Sequence, residues 1–147
     1  MTVLYHGSGY LHKELSPGFK HSGKLVRWDV TESNEWLYAS TDIEAVTELG
    51  FSSAFEKKWH LKEFHSKEKS LLLVLAPGVQ VNFKEIYELD VYIYTIVLNA
   101  KDGWIKNNNE YNNLNTEWKT KNTVKSIKTI QKLDVRKWLE DYKIEIK

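Results

Sequence analysis

Short runs of apolar, β-branched and aromatic residues recur along the chain and predict β-strands, because they are too short for helices and are separated by polar or turn-forming residues. The runs that we interpret as strands are residues 2–6, 36–39, 70–75, 79–83 and 91–98, with a further strand or hairpin over 118–130.

One helix is predicted with a clear start. Thr41 and Glu44 have the spacing of a capping box, so a helix is expected from here to about Lys57. Two shorter helices are predicted over 84–89 and over 134–142, the second capped by Asp134. The residues expected on the buried face of the long helix are Ile43, Val46, Leu49 or Gly50, and Ala54.

Three polar stretches are predicted to be loops or surface excursions: residues 19–34, 60–69 and 99–116. The last contains seven asparagines, and long loops in compact domains are usually functional or mobile. Strands with few helices indicate an α+β fold with a mostly antiparallel sheet. At 147 residues, the chain is expected to form a single domain over 1–147.

Composition narrows the chemistry. The chain has no cysteine, which excludes disulfides, thiolate metal sites and a cysteine nucleophile. With only scattered histidines, we expect no metal, and a cysteine-free chain fits a reducing, cytoplasmic location. The longest apolar run, residues 71–77, is too short to span a bilayer, so a soluble protein without membrane contact is expected.

The formal net charge is only +1, but the basic residues are unevenly distributed. Between residues 118 and 132 no acid interrupts five lysines, which are Lys119, Lys121, Lys125, Lys128 and Lys132. One interpretation is a solvated strand face. The other is a surface, carried by the first four, that attracts an anionic partner such as nucleic acid or an acidic protein.

Three positions at strand ends or loop edges carry candidate chemistry, since binding groups are often displayed there. They are the His6-Gly7-Ser8 sequence after the first strand, Tyr38 at the end of the second, and Glu117 where the long loop enters a late strand. Taken singly, each has a plain alternative. A histidine beside Gly-Ser is often a turn or packing residue, a tyrosine in an apolar run is often core, and an isolated glutamate is often solvated.

The order of these motifs resembles the ADP-ribosyltransferase superfamily of the diphtheria-toxin and poly(ADP-ribose) polymerase type. The matching segments read Leu4-Tyr5-His6-Gly7-Ser8, then Trp36-Leu37-Tyr38-Ala39-Ser40, then Thr116-Glu117-Trp118. Residues 118–130 are also similar to the last strand of rifampin ADP-ribosyltransferases. This resemblance implies a split, mostly antiparallel sheet and NAD as substrate.

The resemblance also implies how NAD would be held. His6 would hydrogen-bond a ribose hydroxyl, and Gly7 would offer its backbone to the nicotinamide amide. Ser8 would add a polar contact. Tyr38 would stack on the nicotinamide ring, and Phe51, on the following helix, would be a second aromatic wall.

Glu117 would be the catalytic carboxylate, acting together with His6 and Tyr38. Cleavage of the nicotinamide–ribose bond develops positive charge on the sugar, which a nearby carboxylate stabilises. Asp102 is the first alternative acid, because the rifampin enzymes have an aspartate in a comparable loop; Glu110 and Glu88 are further alternatives.

The expected function is an NAD-dependent ADP-ribosyltransferase, a glycosyltransferase that passes ADP-ribose to a macromolecular acceptor and releases nicotinamide. An RNA 2′-phosphotransferase is an alternative, but that chemistry relies on several arginines and this chain has only Arg27 and Arg136. A catalytically inactive NAD- or nucleic-acid-binding module and a plain interaction domain are the others.

Overall fold

The computed structural model describes residues 2–17, 36–107 and 116–147, and most of the apolar runs in these ranges form strands. The strands are β1 (Val3–Ser8), β2 (Leu37–Ser40), β3 (Leu61–Lys67), β4 (Ser70–Leu75), β5 (Tyr92–Val97), β6 (Ile105–Lys106), β7 (Glu117–Thr120), β8 (Ile127–Lys132) and β9 (Lys143–Ile146). The helices are α1 (Ile43–Lys58), α2 (Phe83–Ile86) and α3 (Val135–Trp138), with 3₁₀ turns at Ala100–Asp102 and Leu139–Asp141.

The strands form two sheets. A six-stranded sheet has the order β6-β7-β2-β1-β5-β8, in which β2 pairs antiparallel with both β1 and β7, and β6 pairs antiparallel with β7. A three-stranded sheet has the order β3-β4-β9, with β3 antiparallel and β9 parallel to β4. The predicted α+β class, with a mostly antiparallel sheet and a few short helices, is confirmed.

The chain packs as two compact units. The first unit comprises the described residues within 1–6, 12–46 and 94–130, and the second comprises 7–11, 47–93 and 131–147. β1, α1, β5 and β8 each pass from one unit into the other along the chain. The prediction of a single domain over 1–147 stays a prediction.

The core of the first unit is built on β1, β2, β5 and β7. Side chains of a strand alternate between the two faces of its sheet, and on β2 both Leu37 and Ala39 are buried. The loop before Gly18 joins this core through Leu15 and Val124, whose backbone groups exchange two hydrogen bonds of 3.2 and 2.7 Å. Side chains of this unit that are at most 1% exposed are Leu4, Leu15, Tyr94, Ile96, Thr120 and Val124.

The second unit has a core of aliphatic and aromatic side chains. The ring centroid of Phe51 lies 6.2 Å from that of Phe55 and 5.3 Å from that of Trp138. Trp59 adds to the cluster at 4.7 Å from Phe55, and Tyr142 at 4.5 Å from Trp138. Such tilted aromatic pairs add to the free energy gained from area burial. Side chains of this unit that are at most 1% exposed are Phe51, Phe55, Leu61, Leu73, Ile86, Val91 and Val135.

The turn after β1 packs against α1 so closely that a Cβ atom on Gly9 would not fit. A Cβ atom on Gly9 would lie 2.6 Å from the Cα atom of Ala54, a distance that real Cβ atoms do not reach. The Gly9 N–H donates to the Ser53 hydroxyl at 3.0 Å, which fixes the approach. One turn earlier in the helix, a Cβ on Gly50 would lie 3.1 Å from the Cα of Gly7. Glycines at the end of β1 therefore have a packing role.

The start of α1 differs from the predicted cap. Asp42, rather than Thr41, caps the helix: its carboxylate accepts from the backbone N–H groups of Glu44 and Ala45 at 3.0 and 3.2 Å. Its own N–H is held by the Ser40 hydroxyl at 3.0 Å. An aspartate is at least as good a cap as a threonine, so the helix begins one residue later than the predicted capping box. The predicted end near Lys57 is confirmed.

The predicted buried face of α1 is partly wrong. Val46, Gly50 and Ala54 are buried, but Ile43 and Leu49 are 52% and 60% exposed. The buried stripe includes Thr47, Phe51 and Phe55, which are 6%, 0% and 0% exposed. Each of these three residues follows one of the predicted buried residues directly. The buried face is therefore wider than predicted by the turn of one residue, about 100° around the helix axis.

Residues 60–69 were predicted to be a surface excursion, but most of them form β3. This strand is polar and largely exposed, and it exists because it pairs with the apolar β4. Glu68 and Lys69 connect the two with positive φ values of 48° and 64°, as in a two-residue type I′ hairpin turn. Neither residue is the glycine or asparagine that usually announces this turn.

Two other strand predictions were wrong. Residues 79–83 form no strand: Asn82 accepts from the Lys84 N–H at 3.0 Å and starts α2. Residues 118–130 contribute to two strands, β7 and β8, that are not neighbours in the sheet.

The loop predicted over 99–116 includes a 3₁₀ turn and β6. Residues 108–115 of this loop lie outside the described residues, as do 19–34. The predicted cap of α3 is confirmed, since Asp134 accepts from the Lys137 N–H.

Of the helices in the described ranges, none has the length and apolar character needed to cross a bilayer.

Gly9→Ala should destabilise the protein by about 1–3 kcal/mol, because the new methyl group must displace helix backbone. Urea unfolding followed by circular dichroism measures this. The matched control is Gly78→Asn, at a position with φ of 82° and no atom within 4 Å of an added Cβ. Asparagine tolerates that conformation, so the control should lose less than about 1 kcal/mol. Equal losses for the two variants would contradict the steric argument.

Candidate functional site

His6, on β1, is held by the backbone of β2. Its Nδ1 lies 2.7 Å from the carbonyl oxygen of Tyr38. A carbonyl oxygen can only accept, so Nδ1 carries the hydrogen and Nε2 is the acceptor nitrogen of the neutral ring. The imidazole also contacts the Tyr94 ring, with centroids 6.0 Å apart. Tyr94 is fully buried, and its hydroxyl accepts from the His12 N–H at 2.7 Å. The orientation and tautomer of His6 are thus fixed by the core.

Tyr38 and Glu117 lie on the next two strands and share a face of the sheet. Tyr5 on β1 is opposite Ser40 on β2, and Ser40 is opposite Glu117 on β7. Residues directly opposite project from the same face, as do residues two apart on one strand. Tyr38 therefore projects from the face that carries Glu117. The three residues predicted from separate parts of the sequence are on three neighbouring strands. His6 follows Tyr5 directly, so by the same alternation its side chain projects from the opposite face, and its bond to Tyr38 is made with the backbone carbonyl alone.

Glu117 is held by Asn107, a residue that the sequence analysis missed. The Asn107 side-chain amide donates to Oε1 of Glu117, and the Asn107 backbone N–H donates to the Glu117 carbonyl at 2.9 Å. Asn107 is 6% exposed, whereas Glu117 is half-buried. On the other side, the Thr41 N–H donates to the Thr116 carbonyl at 2.9 Å. The position of the carboxylate is thus set by side-chain and backbone bonds.

Asp102, the first alternative acid, accepts hydrogen bonds that hold neighbouring segments together. Its carboxylate accepts from the Ser126 hydroxyl, and its backbone carbonyl accepts from the Thr120 hydroxyl at 2.6 Å and the Asn122 amide at 3.3 Å. It is only 9% exposed. These bonds join the 3₁₀ turn to β7 and to the segment after it. Glu88 is exposed in the second unit; the last alternative, Glu110, lies outside the described residues.

Gly7, Ser8 and Phe51, the other predicted NAD-binding residues, belong to the second unit. Ser8 is 7% exposed, and its hydroxyl accepts from the Tyr10 N–H at 3.0 Å. Phe51 is fully buried among Phe55 and other aromatic rings, which is the environment of a core residue. The binding roles of these three residues stay predictions.

Two of the predicted anion-binding lysines contact an indole ring. The Nζ atoms of Lys119 and Lys121 lie 4.3 and 4.8 Å from the ring centroid of Trp36. Lys125 and Lys128 are exposed. Trp36 was missed as a surface residue, because a tryptophan before a strand is more often core. Its only sequence signal is its place two residues before Tyr38.

Within the part of the chain that the structure describes, no three histidine or acidic side chains are grouped as metal ligands would be.

Comparison with known proteins returns no match: no protein-family model matches the chain, and neither the curated proteins nor the solved structures give one. Function is therefore inferred from the residues themselves.

Asn107→Ala should destabilise the protein by about 1–3 kcal/mol, because the Glu117 carboxylate loses a partly buried hydrogen-bond donor. Chemical denaturation measures the loss. Asn99→Ala is the matched control, since this exposed side chain caps only the 3₁₀ turn, where water can replace it. It should cost no more than about 1 kcal/mol. A smaller loss for the Asn107 variant than for the control would show that the bond to Glu117 contributes nothing.

Proposed function

We propose that this chain is an NAD-dependent ADP-ribosyltransferase, which transfers ADP-ribose to a macromolecular acceptor and releases nicotinamide. The observation that carries the proposal is the hydrogen bond from His6 Nδ1 to the Tyr38 carbonyl, with Glu117 on the next strand. The same proposal includes a split sheet of the ADP-ribosyltransferase type, a single domain over 1–147 and a cytoplasmic location.

The bond to Tyr38 supports a ligand-binding role for His6. It makes Nε2 the acceptor nitrogen of the neutral ring, which is the group needed to accept a ribose hydroxyl. Because the ring is oriented by the β2 backbone and by Tyr94, little conformational entropy would be lost on binding. Gly7 and Ser8 follow directly in the chain and would supply the backbone and hydroxyl contacts to NAD.

Tyr38 and Glu117 support the chemical step, because they project from the same face of the sheet. The Tyr38 ring would stack on nicotinamide. The bond between ribose C1′ and the nicotinamide nitrogen then breaks, with its electron pair passing to the nicotinamide ring. The acceptor nucleophile bonds to C1′ and loses its proton.

Glu117 would act on the sugar in this step. A carboxylate close to the ribose stabilises the positive charge that develops as nicotinamide leaves, and it can take the proton of the acceptor. The amide of Asn107 holds one carboxylate oxygen, so the group is positioned before substrate arrives. Such preorganisation is the main source of electrostatic catalysis.

NAD should raise the melting temperature. At ten times its dissociation constant, a ligand that binds only the folded state adds about 1.4 kcal/mol, which corresponds to a shift of roughly 3–6 °C for a chain of this size. Differential scanning fluorimetry with millimolar NAD measures the shift, with ATP at equal concentration as the control for nucleotide binding in general. No shift with NAD, or an equal shift with ATP, would contradict the NAD pocket.

Glu117→Gln should reduce transfer of labelled ADP-ribose to acceptors in a cell extract by a factor on the order of 10²–10³, with folding retained. Glu140→Gln, at an exposed position of the second unit, is the matched control and should transfer within a factor of about two of the wild type. Asp102→Asn, Glu110→Gln and Glu88→Gln test the alternative acids. Unchanged transfer by the Glu117 variant would refute its assignment. A shift with NAD but no transfer by the wild type would identify an inactive NAD-binding module.

A further inference from the structure

Trp36 immediately precedes β2 and is half-buried. The ammonium groups of Lys119 and Lys121 both lie within 5 Å of its centroid. Each is a favourable cation–π contact. The arrangement brings two basic side chains and an aromatic ring together at one place on the sheet.

The same face of the sheet continues from Trp36 towards Glu117. Tyr38 is opposite Lys119 and Ser40 is opposite Glu117 in the register of β2 and β7. Alternate residues of a strand share a face, so β2 supplies aromatic positions and β7 supplies cationic ones. Two residues along a strand span about 7 Å. A group bound between Trp36 and Lys119 would therefore lie within one or two nucleotide lengths of Glu117.

We propose that Trp36, Lys119 and Lys121 form a stacking platform for single-stranded nucleic acid, and that the bound strand is the acceptor of ADP-ribose. The second half of this inference rests on the proposed function. A base displaces the lysine side chains from the indole and stacks on the ring, and the displaced ammonium groups neutralise the flanking phosphates.

The combination of ring and charge favours nucleic acid over an acidic protein. Lysines alone would attract either polyanion, but only a nucleotide offers both an aromatic face and a phosphate within one residue. A single strand is favoured over a duplex, because bases in a duplex are already stacked on one another. Stacking of this kind accepts any base, so the platform binds without reading sequence.

Fluorescence anisotropy with labelled oligo-dT and oligo-U of 15 nucleotides, without NAD, tests the platform. Trp36→Leu should weaken binding roughly 5- to 150-fold, the effect of losing one stacked base. Lys119→Gln with Lys121→Gln should also weaken it, and should lower the slope of log affinity against log salt concentration by about 1.4 for two phosphate contacts. The two oligonucleotides separate DNA from RNA, and a 15-base-pair duplex should bind more weakly.

Two matched variants control these measurements. Lys62→Gln with Lys67→Gln removes the same charge from exposed positions of β3, in the second unit, and should keep most of the affinity. Trp59→Leu removes another indole, 5.2 Å from a lysine ammonium group in the second unit, and should bind as the wild type does. Circular dichroism melting of every variant verifies folding. Equal losses in the two lysine pairs, or full affinity in Trp36→Leu, would overturn the platform, as would equal competition by polyglutamate.

The second part of the proposal, that the bound strand accepts ADP-ribose, is tested by a separate measurement. With labelled NAD, wild-type protein should modify the oligonucleotide, and Trp36→Leu should modify it more slowly in proportion to its weaker binding. Transfer to proteins but not to a bound oligonucleotide would overturn this half and leave the proposed transferase intact. Trp36-dependent binding, with no transfer to any acceptor and no NAD shift, would refute the transferase and leave a nucleic-acid-binding module.

Discussion

The hydrogen bond between His6 and the Tyr38 carbonyl is the interaction on which the candidate site depends, because it joins β1 to β2 within the first unit. A second constraint acts within the second unit, where the turn after β1 packs against α1. Gly9 lies so close to Ala54 that no side chain fits between them, and a hydrogen bond to Ser53 holds the turn in place. The end of β1 is thereby fixed against the helix. The glycines that suggest a ligand-binding turn in the sequence therefore have a steric reason as well.

Local signals in the sequence predicted the elements that form on their own. The span of α1, the apolar β4 and the Asp134 cap were all recognisable, because a propensity or a cap acts within a few residues. The β3 strand was missed because its stability comes from pairing with β4, while its own composition is polar. The parallel strand β9 was missed for a related reason: its partner lies far away in the sequence. The exposed Leu49 shows that a short helix stripe can be misread by one residue.

The candidate site shows the same division. His6, Tyr38 and Glu117 could be proposed from motif order, and the structure places them on neighbouring strands. Asn107 could not be proposed, since its role depends on which backbone it meets across the loop that precedes Glu117. Trp36 could not be proposed either, because its lysine neighbours come from β7, and the register between β2 and β7 is a long-range property. The role of a side chain that depends on strand pairing cannot be predicted from the residues next to it in the sequence.

The two lysines at Trp36 also have a consequence for the folded state without any partner. Both ammonium groups lie within 5 Å of one ring centroid, so they are separated by no more than about 10 Å, close to the Debye length at 0.1 M salt. Salt at this concentration screens part of the repulsion between them. Each ammonium group also has its own cation–π contact with the indole, so a single ring holds both lysine side chains at the edge of β2.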